Sequence, residues 1–241
     1  MIRIAMWSGP RNLSTAMMRS FSSRSDTFVS DEPFYGCFLK QTGANHPMRE
    51  DVIAAMDCDW SSVMASLSGA TPDGSPVWYQ KHMWHHMAGP VGYGDFYGFT
   101  HAFLIREPER MIASYLRKRE AAAFENFGLD RQADAFEREA DRLGHAPPVI
   151  DANDVLANPE VVLSKLCAAL RIPWDPAMLS WAPGRRDTDG PWAPHWYGAV
   201  EKSTGFGPPE TGPVDLPTDA QRVADRCRPY YERLAAHRLK P

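Results

Sequence analysis

The sequence predicts an α/β fold in which a mainly parallel sheet is flanked by helices in three layers. Two observations carry this. Five short apolar runs recur along the chain, bounded by Gly, Pro, Ser or charged residues, and segments with helical spacing of apolar residues separate them. Strands that alternate with helices indicate βαβ units and a sheet covered on both faces.

The elements follow in order. Ile2–Trp7 is short and apolar and stops at Ser-Gly-Pro, as a buried strand does. Leu13, Ala16, Met17 and Phe21 then share one helical face over about 13–22. Thr27–Asp31 reads as the second strand. Residues of about 48–69 carry helical spacing through Met48, Val52, Met56, Val63 and Leu67, and the cluster Thr71–Pro76 marks a turn. Val77–Met83 and His101–Ile105 are the third and fourth strands. Pro108 stands at a favoured first helical position, ahead of the apolar face of Met111, Ile112 and Tyr115. Arg131–Leu143 reads as a charged, exposed helix, Pro148–Asp151 as the fifth strand, and Pro159–Leu170 and about Thr218–His237 as further helices.

At 241 residues, the chain is long enough to bury a substantial core, and we expect a single α/β domain over 1–241. Lys plus Arg is 26 and Asp plus Glu is 30, a formal net charge of −4. That argues against a nucleic-acid footprint and against a polybasic membrane binder. No apolar run reaches the length of a membrane span, and the N-terminus lacks the pattern of a signal peptide. The four cysteines show neither zinc spacing nor a disulfide framework, so a reduced, cytoplasmic setting is expected. The anomaly is proline: 21, where average usage gives about 12. Nine of them fall in 172–217, together with Trp174, Trp181, Trp192 and Trp196. A stretch this long without regular structure is either functional or disordered, and tryptophans favour a packed cover, a lid-like loop region before the C-terminal helix.

In an open α/β sheet, ligands bind beyond the carboxyl ends of the strands. The first strand is followed by Ser8-Gly9-Pro10-Arg11-Asn12-Leu13-Ser14-Thr15 and a helix. Free N–H groups and the helix dipole there would attract an anion, with Arg11 adding a positive fork and Ser14 and Thr15 adding hydroxyls; an ordinary capped strand–helix turn is the competing reading. It is not a Walker A loop, which needs Gly and Lys where this chain has Ser14 and Thr15. The second strand ends in Asp31-Glu32, where a partly dry cleft would raise a carboxylate pKa and suit a general base; an acidic surface turn is the competing reading. The third ends in Lys81-His82-Met83-Trp84-His85-His86. A metal site of His82, His85 and His86 lacks a carboxylate or Cys at partnering spacing, so these side chains read as cationic donors toward a phosphate or sulfonate, or as satisfied structural histidines. The fourth ends in Arg106, with Ser114 about one and a half turns into the next helix, so both can converge on one small anion.

Together these motifs resemble the PAPS-dependent sulfotransferases (PAPS is 3′-phosphoadenosine-5′-phosphosulfate). Gly9-Pro10-Arg11-Asn12-Leu13-Ser14-Thr15 is similar to the family's 5′-phosphosulfate loop, with Arg11 where many members carry Lys. Arg106, Pro108 and Ser114 fit its 3′-phosphate motif. The resemblance implies a P-loop-like sulfotransferase fold and a catalytic base at Glu32, or at His82 beside Lys81. It also implies charge stabilisation by Arg11 and Lys81, and a late cofactor loop at Lys202-Ser203-Thr204-Gly205, which lacks the usual Arg-Lys-Gly order. The implied reaction moves a sulfuryl group from PAPS to a hydroxyl or amine of a small-molecule acceptor, leaves adenosine 3′,5′-bisphosphate and requires no metal. The expected partners are that acceptor and, for assembly, a second copy in a homodimer. The competing readings are a kinase of the wider P-loop group and a non-catalytic nucleotide- or anion-binding module.

Overall fold

A computed structural model describes residues 1–241. In chain order the elements are β1 (Ile2–Ser8), α1 (Ser14–Ser22), β2 (Thr27–Asp31), α2 (Tyr35–Thr42), α3 (Arg49–Ala55), α4 (Trp60–Ser68), β3 (Val77–Met83), β4 (Thr100–Ile105), α5 (Pro108–Leu116), α6 (Leu129–Leu143), β5 (Val149–Asp151), α7 (Ala152–Ala157), α8 (Pro159–Ala169), α9 (Ala193–Trp196) and α10 (Thr218–Ala235). All five strands pair in parallel, in the order β2-β3-β1-β4-β5. The three-layer α/β expectation holds. No helix is long and apolar enough to cross a membrane.

Two cores explain the layers. On one face Ile4, Met6, Val29 and Tyr79 pack against Met17 and Phe21 of α1 and Val162 and Leu166 of α8. On the other, Ala5, Trp7, Trp78 and Phe103 pack against Trp60 of α4, Phe136 of α6 and Leu234 of α10. Residues 4–7 of β1 go to alternate faces and are all fully buried, the mark of a central strand in a sheet covered on both sides.

Several boundaries depart from expectation. The helical stretch over 48–69 is two helices, because Met56 turns extended and Asp59 caps α4 by accepting the Ser62 N–H at 2.8 Å. The charged helix begins at Leu129 and buries Gln132, Phe136 and Glu139. Its polar residues tolerate burial because Gln132 donates to the Leu104 carbonyl (3.1 Å) and Glu139 pairs with Arg142 (2.7 Å). The segment 172–217 is packed in part: Met178, Trp181, Trp192, Ala193 and Tyr197 are buried, while 207–217 holds no buried residue. Trp192 and Tyr197 join Tyr35, Leu39 and Val52 in one apolar cluster, and a buried Arg19–Asp189 ion pair at 2.7 Å ties the segment to α1.

The connection after β1 runs to β2 on one side, while that after β4 runs to β5 on the other. The crevice between diverging connections lies at the carboxyl ends of β1 and β4, where the loop 8–15 meets Arg106.

Candidate active site

The loop after β1 is built around close approaches. A Cβ on Gly9 would lie 3.0 Å from the Phe127 carbonyl oxygen, so a side chain there would force the loop off α6's entry turn. Asn12 is fully buried; its Nδ2 donates to the Leu104 carbonyl at 3.5 Å, and its amide lies within 3.3 Å of the Pro10 carbonyl and the Gly9 N–H. Arg11 and Leu13 adopt left-handed backbone conformations, with φ of 62° and 70°. Non-glycine residues there carry strain, which clusters where a site over-determines the backbone. Leu13 offers no side-chain cap to α1, so the first-turn N–H groups of that helix stay free for a ligand.

Arg11 donates through Nε to Ser114 Oγ at 3.2 Å, and Arg106 donates through Nη1 to the Arg11 carbonyl. The phosphate-binding residues expected from two distant motifs therefore meet. Burial lowers the Arg11 pKa, and the neighbouring charges of Arg117 and Arg106 add to the effect. Arg106 also forms a fork on the Glu210 carboxylate, with Nε at 3.2 Å. Sequence reasoning did not single out Glu210.

At the ends of β2 and β3 the register pairs Asp31 with Lys81. Lys81 Nζ lies 2.8 Å from Asp31 Oδ1, 2.7 Å from Glu32 Oε1, 2.7 Å from Tyr197 Oη and 3.3 Å from Thr15 Oγ1. Tyr197 Oη donates to Asp31 Oδ2 (2.6 Å) and accepts from Trp192 Nε1 (3.0 Å), and the Gly190 N–H reaches the same Asp31 oxygen (3.1 Å). Residues 190–197 are thus fastened to the ends of β2 and β3 by polar groups. Burial alone would lower the Lys81 pKa, but Asp31 and Glu32 outweigh it and hold it well above the ordinary ammonium value. Burial raises the Glu32 carboxyl, with the Asp31 charge adding to it and Lys81 opposing it. Glu32 sits at φ 43°, a third left-handed non-glycine residue at this site.

His82 corrects an expectation. Strand alternation puts Lys81 toward α1 and His82 on the opposite face, in register with Trp7. It stacks on Trp7 with ring centroids 4.7 Å apart, and its Nε2 lies 3.2 Å from Gln80 Oε1. Burial pushes its pKa down to about 3, so it is a neutral core residue away from the cleft. His85 and His86 do border the cleft, but not as cations: burial pushes His85 to about 3 and His86 well below the ordinary imidazole value. His86 stacks against both Tyr35 and Phe38, with Nδ1 3.7 Å from Glu32 Oε2.

Two cavities open on the loop. One is lined by Glu32, Tyr35, His86 and Trp192; the other by Arg106, Ser114, Ser203, Gly205 and Phe206. They share Arg11, Ser14, Thr15, Trp196 and Tyr197 as a common wall, with Pro10 on the first side and Leu13 on the second. Gly9, Asn12, Lys202 and Thr204 line neither. Lys202 is exposed on a single helical turn, and Ser203 Oγ accepts from Trp181 Nε1 at 3.1 Å, so this loop contributes backbone and small residues but no cation.

A sulfotransferase domain model matches residues 2–238. Two curated proteins of Arabidopsis thaliana, named branched-chain-amino-acid aminotransferase-like proteins 2 and 1, are 33% and 35% identical over 97% of this chain. The chain spans only 41% and 42% of their lengths. The sulfotransferase domain from the curacin biosynthetic pathway superposes with a TM-score of 0.53 at 17% identity, covering 93% of this chain and 96% of that one. A sulfotransferase from Alicyclobacillus acidocaldarius gives 0.52 at 15% identity, covering 99% and 97%. Those two likenesses establish the fold, and the match over 2–238 establishes that the chain belongs to the sulfotransferase domain family.

Proposed function

We propose that the chain transfers a sulfuryl group from PAPS to a hydroxyl or amine of a small-molecule acceptor. One observation carries the reading: two cavities meet on Arg11 and the start of α1, with a buried carboxylate in one and an Arg–Ser pair in the other. In-line transfer asks for this layout, because the entering and leaving groups must lie on opposite sides of the transferred group.

The residues fit the donor. The seating of Arg106 on a carboxylate supports its placement for an anionic group. Arg106 and Ser114 would hold the 3′-phosphate, and Arg11, Ser14, Thr15 and the free N–H groups of α1 would hold the 5′ side. PAPS supplies an activated sulfuryl group and a bisphosphate leaving group. Glu32 takes the proton of the acceptor, a role suited by a carboxyl whose pKa is raised toward the working pH. Lys81 acts through Glu32 as a positioning residue, since its ammonium is already enclosed by Asp31, Glu32 and Tyr197. Arg11 stabilises charge that develops in transfer, a task for which the scheme calls on no metal. An aminotransferase reading, prompted by the relatives' names, meets an obstacle at Lys81. A Schiff-base lysine is activated by a depressed pKa, and Lys81 has the reverse.

Melting with adenosine 3′,5′-bisphosphate, with ADP, and with ATP plus Mg²⁺ tests the donor. A ligand at 100 times its Kd adds about 2.7 kcal/mol. At about 2–4 °C per kcal/mol for a chain of this size, the bisphosphate should raise Tm by roughly 5–11 °C. Arg106→Ala should reduce the gain without erasing it. A rise with ATP–Mg²⁺ alone would overturn the reading in favour of a kinase. Sulfate transfer to a panel of alcohols, phenols and amines then separates an enzyme from a binding module.

A further inference from the structure

The cation on which the donor reading leans already has an occupant. The Arg106 guanidinium directs Nε and Nη2 at the carboxylate of Glu210, and its remaining arm, Nη1, at the Arg11 carbonyl. Glu210 is not delivered by a wandering tail. Pro208 and Pro209 preset the backbone before it, the Glu210 N–H donates to Asn153 Oδ1 at 2.9 Å, and two residues on Arg110 Nη2 donates to the Gly212 carbonyl at 2.8 Å. The two partners differ in access: the Glu210 side chain is 34% exposed and that of Arg106 only 10%. The carboxylate can therefore leave toward solvent by rotating its side chain, while Arg106 stays fixed by the Arg11 carbonyl.

We propose that Glu210 is a built-in competitor for the 3′-phosphate. Its carboxylate fills the Arg106 subsite in the free protein and weakens binding of any nucleotide that must place a 3′-phosphate there. The inference rests on the PAPS reading and deepens it. The chemistry favours exchange in one direction: a phosphate monoester carries up to two negative charges and three acceptor oxygens against one charge and two oxygens for the carboxylate. A nucleotide with a free 3′-hydroxyl has nothing to offer Arg106 and leaves the Glu210 contact intact. The consequence for turnover is at release. Glu210 returns to Arg106 as the bisphosphate product departs, which limits product retention in a site where release commonly sets the rate.

The test compares wild type, Glu210→Gln and Glu210→Ala by isothermal titration calorimetry, with adenosine 3′,5′-bisphosphate and with adenosine 5′-monophosphate. Both variants should bind the bisphosphate about tenfold tighter, equivalent to about 1.4 kcal/mol, and the monophosphate within about twofold of wild type. Unchanged or weaker bisphosphate binding in both variants overturns the proposal and leaves the donor reading standing. An equal gain for the monophosphate does the same, since the effect would then not act at the 3′-phosphate. If the bisphosphate binds none of the three proteins, the donor reading falls and takes this inference with it.

Discussion

Lys81→Met tests the electrostatic centre of the site. The Lys81 and Asp31 side chains are each 1% exposed and that of Glu32 is 11% exposed, so the ammonium is the one charge offsetting two buried carboxylates. Removing one partner of a buried ion pair leaves an uncompensated charge and costs about 3–5 kcal/mol. For a chain of this size that is a fall in Tm of roughly 6–20 °C at pH 8. The pH dependence has a definite sign. The Glu32 carboxyl already lies above its ordinary pKa, chiefly through burial, and losing Lys81 moves it further up. A carboxyl with a raised folded pKa favours folding at low pH and loses that contribution as pH rises through the folded value. The gap between wild type and variant should therefore narrow from pH 8 to pH 5. Adding Asp31→Asn should recover part of the loss, because the double variant carries one buried negative charge fewer. Differential scanning calorimetry at three pH values, with denaturant melts as a check, measures all of this. A variant melting within about 2 °C of wild type at every pH would refute the reasoning, since the cluster would then be hydrated in solution and unimportant to the cover segment.

Glu32→Gln should lower turnover by at least about a hundredfold and abolish the acid limb of the kcat/KM profile; in wild type that limb should lie above the ordinary carboxylate range, with activity lost as pH falls. Arg11→Ala should lower turnover at least about tenfold, and wild-type turnover in that variant would remove Arg11 from the charge-stabilising role. His82→Gln should leave turnover within about threefold and the pH profile unmoved, with its cost confined to thermal stability, because the ring packs on Trp7 outside both cavities.

The strands were legible because each is a short apolar run stopped by turn residues. Thr27–Asp31 and Val77–Met83 match their expected bounds, and the other three shift by a residue at one end. The two motifs expected to hold anions lie at strand–helix junctions and meet in the fold, through Arg11 on Ser114 and Arg106 on the Arg11 carbonyl. Helix α2 escaped notice because its eight residues, with Gly36 and Cys37 inside, carry too little helical pattern against their aromatic content. The face of β3 was the costliest omission. Lys81 and His82 are both plausible catalysts by type, and the twofold alternation of a strand allows only one to face α1. Trp192 was readable as part of a packed stretch, but the hydrogen bond from Tyr197 to Asp31, a contact spanning 166 residues of chain, was not. Glu210 left no local signal at all, since its value depends on where Asn153 and Arg106 lie.

The net charge of −4 takes on a local meaning once these contacts are assembled. Of the cations proposed for the site, Lys81 is enclosed by Asp31 and Glu32, Arg106 is held by Glu210, and Lys202 is exposed outside both cavities. Arg11 is different: its side-chain hydrogen bond goes to a hydroxyl, and it stands on the wall between the two cavities. A guanidinium without a counter-charge is costly to keep half-buried, and the burial and like charges that depress its pKa express that cost. An anion placed at Arg11 relieves it, whereas an anion at Arg106 first displaces a carboxylate. Affinity should therefore concentrate on the 5′ side of a bisphosphate nucleotide, next to the group that moves, and the 3′-phosphate should contribute recognition with a smaller net gain.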